Sequence, residues 1–314
     1  MAADFGRLGG YPATMRRLSH DPLTAFFVGV LGIALFSGMD AVMKGLVLAI
    51  GTFATMFWRN LVGVGLSGAL YLGRGAPWPS RSTMKLHVGR GALSTVMGFL
   101  FFWGLGKVPL AQAVALAFIA PLIALYLAAA LLGETVGRRI IAGSLVAFTG
   151  VLVIFFGQAR ADLGHDATIG SIAILVSAVL YAYNIILMRQ QSLAAGPTEI
   201  AFFQSSTVTI ILGAVVLIIG VPLPAAADWP WILFAAFLAI ISLIILSWAY
   251  ARAEASYLAS TEYTAFLWAA LFGWLVFHEP LSPFTLGGAA MIVAGCILAA
   301  RRPADASPSL EVAA

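Results

Sequence analysis

Ten times along this chain, apolar residues run on for about 18–25 positions, the length a helix needs to cross a bilayer. The runs cover roughly 23–43, 48–72, 86–106, 109–132, 140–157, 168–188, 199–220, 229–250, 255–277 and 283–300. Within lipid, only helices and closed barrels satisfy their own backbone hydrogen bonds. A barrel wall alternates apolar and polar positions, whereas these runs are continuous, so they read as helices. Charge density agrees: 10% of residues are charged against 61% hydrophobic, where a soluble domain carries about 25% charged residues. The expected fold is an all-α membrane protein with ten transmembrane helices. Arg16–Arg17 precede the first run as in an export signal. No small-residue cleavage site follows, and the run is too long for a signal core, so it reads as an uncleaved first span.

The basic residues orient the chain. With ten spans, one side takes Arg7, Arg16, Arg17, Arg74, Arg81, Lys85, Arg138, Arg139, Arg189, Arg252, Arg301 and Arg302, and the other only Lys44, Lys107 and Arg160. The positive-inside rule then puts both termini in the cytoplasm. It also accounts for the pI near 9.4, so no nucleic-acid partner is expected.

The two halves repeat. Setting "FFWGLGKVPLAQAVAL" (101–116) over "LSWAYARAEASYLAST" (246–261) aligns Trp103 with Trp248 and Lys107 with Arg252, an offset of 145. The same register carries Lys44 onto Arg189, Arg59 onto Gln204, Glu134 onto Glu279, Gly143 onto Gly288 and Gly150 onto Gly295. Five spans per half is an odd number, so the second copy is expected to enter the membrane upside down. The loops fit this: Glu134 is followed by Arg138 and Arg139, whereas Glu279 leads into "PLSPFT" without a base. Inverted repeats around a midplane site are a common architecture of secondary transporters.

With these features the chain resembles the drug/metabolite transporter superfamily, in particular its EamA-type ten-helix carriers. The resemblance rests on the helix count, the five-plus-five repeat, the glutamates closing spans four and nine, and the glycines of spans five and ten. It implies a first repeat at 23–157 and an inverted second repeat at 168–300, between polar cytoplasmic tails at 1–22 and 301–314. It further implies a solute cavity between the halves, with the fifth and tenth helices at the back. Gly143, Gly150, Gly287, Gly288 and Gly295 would serve a homodimer contact there, or ordinary packing within one chain.

Charges inside the spans mark candidate sites. Arg59, in "TMFWRNLVGV", lies near the bilayer centre, where a lipid-facing charge costs about 2.5 kcal/mol or more. It should face protein or a wet cavity, either tying helices together in an ion pair or holding an anionic group of a solute. The neutral twin Gln204 argues that the fold itself does not need this charge. Glu262, whose twin is Ala117, is the best acidic counterpart, as a ligand for an amine or as a proton carrier. Asp40, one helical turn from Lys44, is a second candidate for either role. Arg90, within about a turn of the cytoplasmic end of its span, reads at least as well as an interfacial residue as it does as a member of the site. Trp58, Trp103, Trp248 and Tyr263 are expected along the cavity with Tyr183, and Gln112, Asn184 and Gln204 as polar groups that orient a solute. Pro121 should kink the fourth span and free carbonyls toward a cavity.

Other chemistries lack a signature. The lone Cys296 excludes an internal disulfide or a cysteine-built metal site. His278–Glu279 supplies too few ligands for zinc, and no Walker-type loop indicates ATP. No cofactor and no catalytic constellation is expected. The leading expectation is a secondary carrier of the inner membrane, moving a small polar organic metabolite by alternating access, with amino acids and related zwitterions first. Riboflavin, S-adenosylmethionine or another aromatic or nucleoside-type metabolite is the alternative that the resemblance adds. A channel or a membrane-embedded enzyme is the reading from another class, but a channel wants a continuous polar lining and an enzyme a polar cluster near one interface.

Overall fold

The computed structural model describes residues 22–73, 75, 77–108, 110–158, 165–277 and 283–300. The polar tails, Arg74, Pro109, Arg160 and the His278–Glu279 pair therefore lie outside the described residues. Every described element is helical: α1 (Pro22–Ile50), α2 (Thr52–Leu72), α3 (Arg81–Leu105), α4 (Leu110–Ala117), α5 (Ile119–Leu132) and α6 (Arg138–Gln158) form the first half. The second contains α7 (His165–Ala194), α8 (Pro197–Ile219), α9 (Trp229–Tyr250), α10 (Ala255–Leu258), a 3-10 segment (Ala259–Tyr263), α11 (Thr264–Phe277) and α12 (Pro283–Ala300).

Five of these, in α1, α3, α7, α8 and α9, are by length and composition able to cross a membrane on their own. The fourth and ninth apolar runs, expected as single spans, are instead broken in the middle, at Phe118 and at Ala259–Tyr263. Both breaks occur at the same repeat register, since Phe118 is the twin of Tyr263. Their rings meet at 5.6 Å between centroids.

Packing between the halves obeys the same exchange. Adding 145 to a residue number turns α1 into α7, α2 into α8, α3 into α9, α5 into α11 and α6 into α12. The contact of α1 with α9 is matched by that of α3 with α7, α3–α8 by α2–α9, and α5–α7 by α1–α11. The α2–α8 and α6–α12 pairs are their own partners. At α6–α12 the backbones touch. A methyl on Gly143 would come within 2.5 Å of the Gly295 carbonyl oxygen, and one on Gly150 within 2.6 Å of that of Gly288. These glycines thus hold two helices of one chain together, the packing alternative, and Gly287 meets nothing within 4 Å.

The two halves also cap their helices alike. Lys44 donates to the Val108 carbonyl at 3.4 Å, just beyond the end of α3, and Arg189 donates to the Tyr250 carbonyl at the end of α9. One turn further, Lys107 sits 4.8 Å from the Trp103 ring centre and Arg252 4.0 Å from that of Trp248. Cations belong at helix C-termini, where the carbonyl dipoles concentrate, and a tryptophan face strengthens the placement.

Candidate functional site

The breaks in the fourth and ninth runs have local causes. Pro121 has no N–H to give the Ala117 carbonyl, so the ladder opens between α4 and α5. In the ninth, hydroxyls compete for the backbone: Ser260, Thr261 and Thr264 each donate to the carbonyl three residues back, at 2.7, 2.7 and 2.6 Å. Bonds of that span favour the tighter 3-10 winding. Glu262 sits within this segment, so its carboxylate leaves the helix surface at a point where the backbone is irregular.

The start of the ninth run is fixed from the first half. Gly133 ends α5 in the left-handed conformation (φ 67°), which a side chain would disfavour, and turns the chain toward Glu134. The Glu134 carboxylate accepts from the backbone N–H groups of Ala255 at 3.1 Å and Ser256 at 3.0 Å, and Arg189 Nε lies 3.8 Å away. One glutamate therefore caps the first turn of α10.

Between the halves lies a cavity with two joined lobes, both walled by Tyr181 and Glu262. The larger lobe, about 140 Å³, is bounded by α1, α2, α3, α7, α8 and α9 and contains Arg59, Arg90, Asn184 and Gln204. The smaller, about 110 Å³, contains Asp40 and the aromatic side chains of Phe36, Phe101, Phe102 and Phe118, with Ala117 and Pro121 of the broken helix. A site of about 10–15 Å³ holds one water, so the lobes can take several waters or a small metabolite.

Glu262 is buried and doubly bonded, accepting from the Tyr181 hydroxyl at 2.7 Å and from the Tyr250 hydroxyl at 3.3 Å. Arg59 has a poorer set of partners. Its Nη1 approaches the Met39 sulfur at 3.4 Å, and its Nε, though buried, has no acceptor. Among the described residues no acid lies within salt-bridge reach of it. A buried donor without a partner costs about 1–3 kcal/mol, so Arg59 Nε carries an unmet bond, while the charge of Asp40 acts on the guanidinium from beyond salt-bridge distance. Asp40 Oδ1 and Gln204 Oε1 are likewise buried and unbonded.

Arg90 lies in the wall of the same lobe and is 3% exposed. It donates from Nε to Asn184 Oδ1 at 3.0 Å and from Nη1 to Gln191 Oε1 at 2.8 Å. Of the two positions open to it from sequence, the interfacial one does not hold: its guanidinium is buried in the bundle between α3 and α7. Gln191 in turn contacts His87 Nδ1 at 2.6 Å, and His87 Nε2 meets Glu199 Oε1 at 2.9 Å.

Of the residues singled out from sequence, Asp40, Arg59, Asn184, Gln204 and Glu262 come together around the cavity. The aromatic candidates do not. Trp58 turns away, donating to the Pro222 carbonyl at 3.1 Å and meeting Trp229 edge to face. Trp103 and Trp248 are the platforms for Lys107 and Arg252 described above. Tyr183 is 40% exposed on the outer face of α7, while Tyr181, two positions earlier, faces inward. Tyr263 is fully buried against Phe118 rather than in the cavity wall. The Gln112 side chain lies outside the described part of the structure. Conversely, Arg90, Tyr181, Tyr250 and Ser94 line or order the larger lobe without having been marked as site residues. No group of His, Cys, Asp and Glu among the described residues could hold a metal ion.

Comparison with known proteins bears on what such a cavity is for. The profile of the EamA-like transporter family matches twice, over residues 22–156 and 168–301. The pseudopaline exporter of Pseudomonas aeruginosa is 26% identical over 274 residues, 87% of this chain and 95% of the exporter. A riboflavin transporter of Rhizobium johnstonii is 29% identical over 200 residues, 63% of this chain and 64% of that protein. A riboflavin transporter of Brucella anthropi is 25% identical over 80% of this chain. A solved crystal structure superposes with a TM-score of 0.72 at 20% identity, covering 88% of this chain and 98% of its own, a likeness of fold.

Proposed function

The chain belongs to the EamA-like transporter family, and from that premise we propose that it carries a small zwitterionic metabolite across the bacterial inner membrane by alternating access. It is a multi-pass membrane transporter of small metabolites and not an enzyme. The observation that carries the finer reading is the Arg59 guanidinium, with its Nε unbonded and no acid within salt-bridge reach among the described residues, in the same lobe as Glu262 between the two halves. Arg59 takes a carboxylate of the solute, and Glu262, steadied by Tyr181 and Tyr250, takes its amine. Among the described residues, Asp40 and Glu262 are also the two buried carboxyl groups able to carry a proton between the faces. Amino acids and related zwitterions fit this pair first.

Several features support alternating access. The contacts between the halves survive exchange of the halves, as expected if the second repeat is inverted about an axis in the membrane plane. Exchanging the two conformations would then convert an inward-facing state into an outward-facing one of similar energy. The distribution of basic residues supports cytoplasmic termini, and the named relatives come from bacteria.

One observation favours a second reading. The smaller lobe is walled by Phe36, Phe101, Phe102 and Phe118, which suits a flat aromatic solute, and two relatives are riboflavin transporters. Counterflow in proteoliposomes separates the readings. Vesicles preloaded with the solute should speed entry of label, with amino acids active on the first reading and flavins on the second. A pore would show no acceleration, and repeating the assay with and without a pH gradient tests for proton coupling.

A further inference from the structure

The larger lobe contains a second cation for which the solute just proposed has no counterpart. Arg90 is more deeply buried than Arg59, yet both acceptors that hold it, Asn184 Oδ1 and Gln191 Oε1, are neutral. Their orientation is fixed by further bonds. Asn184 Oδ1 also accepts from the Ser94 hydroxyl at 3.1 Å. The Gln191 amide nitrogen is occupied by His87 Nδ1, which leaves only its oxygen for Arg90. The single carboxylate in this chain of bonds, Glu199, is separated from the guanidinium by His87 and Gln191.

We propose that Arg90 is a second anion subsite, and that the solute of this carrier bears two anionic groups, such as two carboxylates, beside its amine. The inference rests on the reading of Arg59 and Glu262 given above. Buried charges are ordinarily paired or satisfied by a ligand, because neutral dipoles recover only part of the lost hydration. A bridge between α3 and α7 needs no full charge, since an amide or hydroxyl could join Ser94, Asn184 and Gln191. Here the neutral groups take two N–H donors and leave the rest of the planar fork for the cavity, where bidentate binding of a carboxylate is favoured. Pairing at the guanidinium groups of the larger lobe points the same way. The larger lobe has two guanidinium groups and one carboxylate, with Asp40 in the smaller lobe. A monocarboxylate amino acid would engage Arg59 and Glu262 and leave Arg90 with neutral partners only. A dicarboxylate with one amine would satisfy all three.

The test uses the purified full chain in nanodiscs, with probe pairs that differ in one carboxylate: L-aspartate against L-asparagine, L-glutamate against L-glutamine, and meso-diaminopimelate against L-lysine. Binding by the wild type should favour the dicarboxylate of at least one pair about tenfold, equivalent to about 1.4 kcal/mol. In Arg90→Gln that preference should fall below about threefold while the affinity for the monocarboxylate stays within about twofold. Should Arg90→Gln fail to insert, Arg90→Lys, which keeps the charge but not the fork, should retain a reduced preference. Equal binding of both members of every pair by the wild type, or equal weakening of both by Arg90→Gln, would assign Arg90 a structural role only and overturn the subsite. If both kinds of probe then still depend on Arg59, the carrier reading survives that loss. If no amino acid of either kind binds, both readings fall.

Discussion

The Tyr181 hydroxyl donates to Glu262 Oε2 at 2.7 Å, joining the sixth apolar run to the broken ninth across the central cavity. Tyr250 holds the other oxygen at 3.3 Å, so a carboxylate on an irregular stretch of backbone is aimed by side chains from two other helices. Glu262→Gln keeps the shape and removes the charge. Transport in proteoliposomes should fall by at least about tenfold with normal insertion, whereas Tyr181→Phe, which leaves one tyrosine, should cost about three- to tenfold. Full activity of Glu262→Gln would remove it from the site.

Glu134 is the capping acid of α10, and Arg189 links it to the Tyr250 carbonyl. Replacing Glu134 with Ala leaves two backbone N–H groups without their acceptor and takes the carboxylate from the largely buried Arg189 guanidinium, which keeps the Tyr250 carbonyl. Charge-assisted bonds of this kind contribute about 1.5–3 kcal/mol each. Thermal unfolding in detergent should therefore start at a clearly lower temperature in Glu134→Ala, with Glu134→Gln in between. An unchanged unfolding temperature would show that the cap carries no stability.

The α6–α12 contact depends on bare backbone. Gly143→Leu must displace the Gly295 carbonyl, 2.5 Å from the added carbon, while Gly287→Ala meets open space. Fluorescence-detected size exclusion should show loss of the monodisperse peak for the first and no change for the second. A normal profile for Gly143→Leu would mean that the two helices separate without consequence.

Trp103 stacks on Lys107 outside the cavity, 4.8 Å from the ammonium. Trp103→Leu should slow transport or lower stability, since such a contact is worth about 0.5–2 kcal/mol, but leave the ranking of competing solutes unchanged. A reordered ranking in a competition assay would return Trp103 to the binding wall.

The sequence made some of this legible because the signal was local. Arg59 stands out against apolar neighbours, Pro121 announces its break, and the offset of 145 needs only the chain itself. Even the Trp103–Lys107 and Trp248–Arg252 stacks were readable, since residues four apart on a helix share a face. What escaped depends on helix phase and on long-range partners. Tyr181 and Tyr183 differ only in the direction they face. Arg90 meets its acceptors 94 and 101 residues away, so nothing near it in the sequence shows that its guanidinium is held inside the bundle. The break at Ala259–Tyr263 has no proline, and its hydroxyl bonds become visible only once the backbone has tightened.

The Arg59 guanidinium, as the proposed anchor of the transported solute, is the group on which the carrier reading rests. Counterflow should be measured side by side in proteoliposomes holding equal amounts of wild type and Arg59→Gln, each preloaded with the best solute found for the wild type. The neutral variant should insert normally and lose at least about tenfold in exchange rate, the loss of about 1.4 kcal/mol expected for one charge-assisted contact. Exchange by Arg59→Gln at the wild-type rate would contradict it.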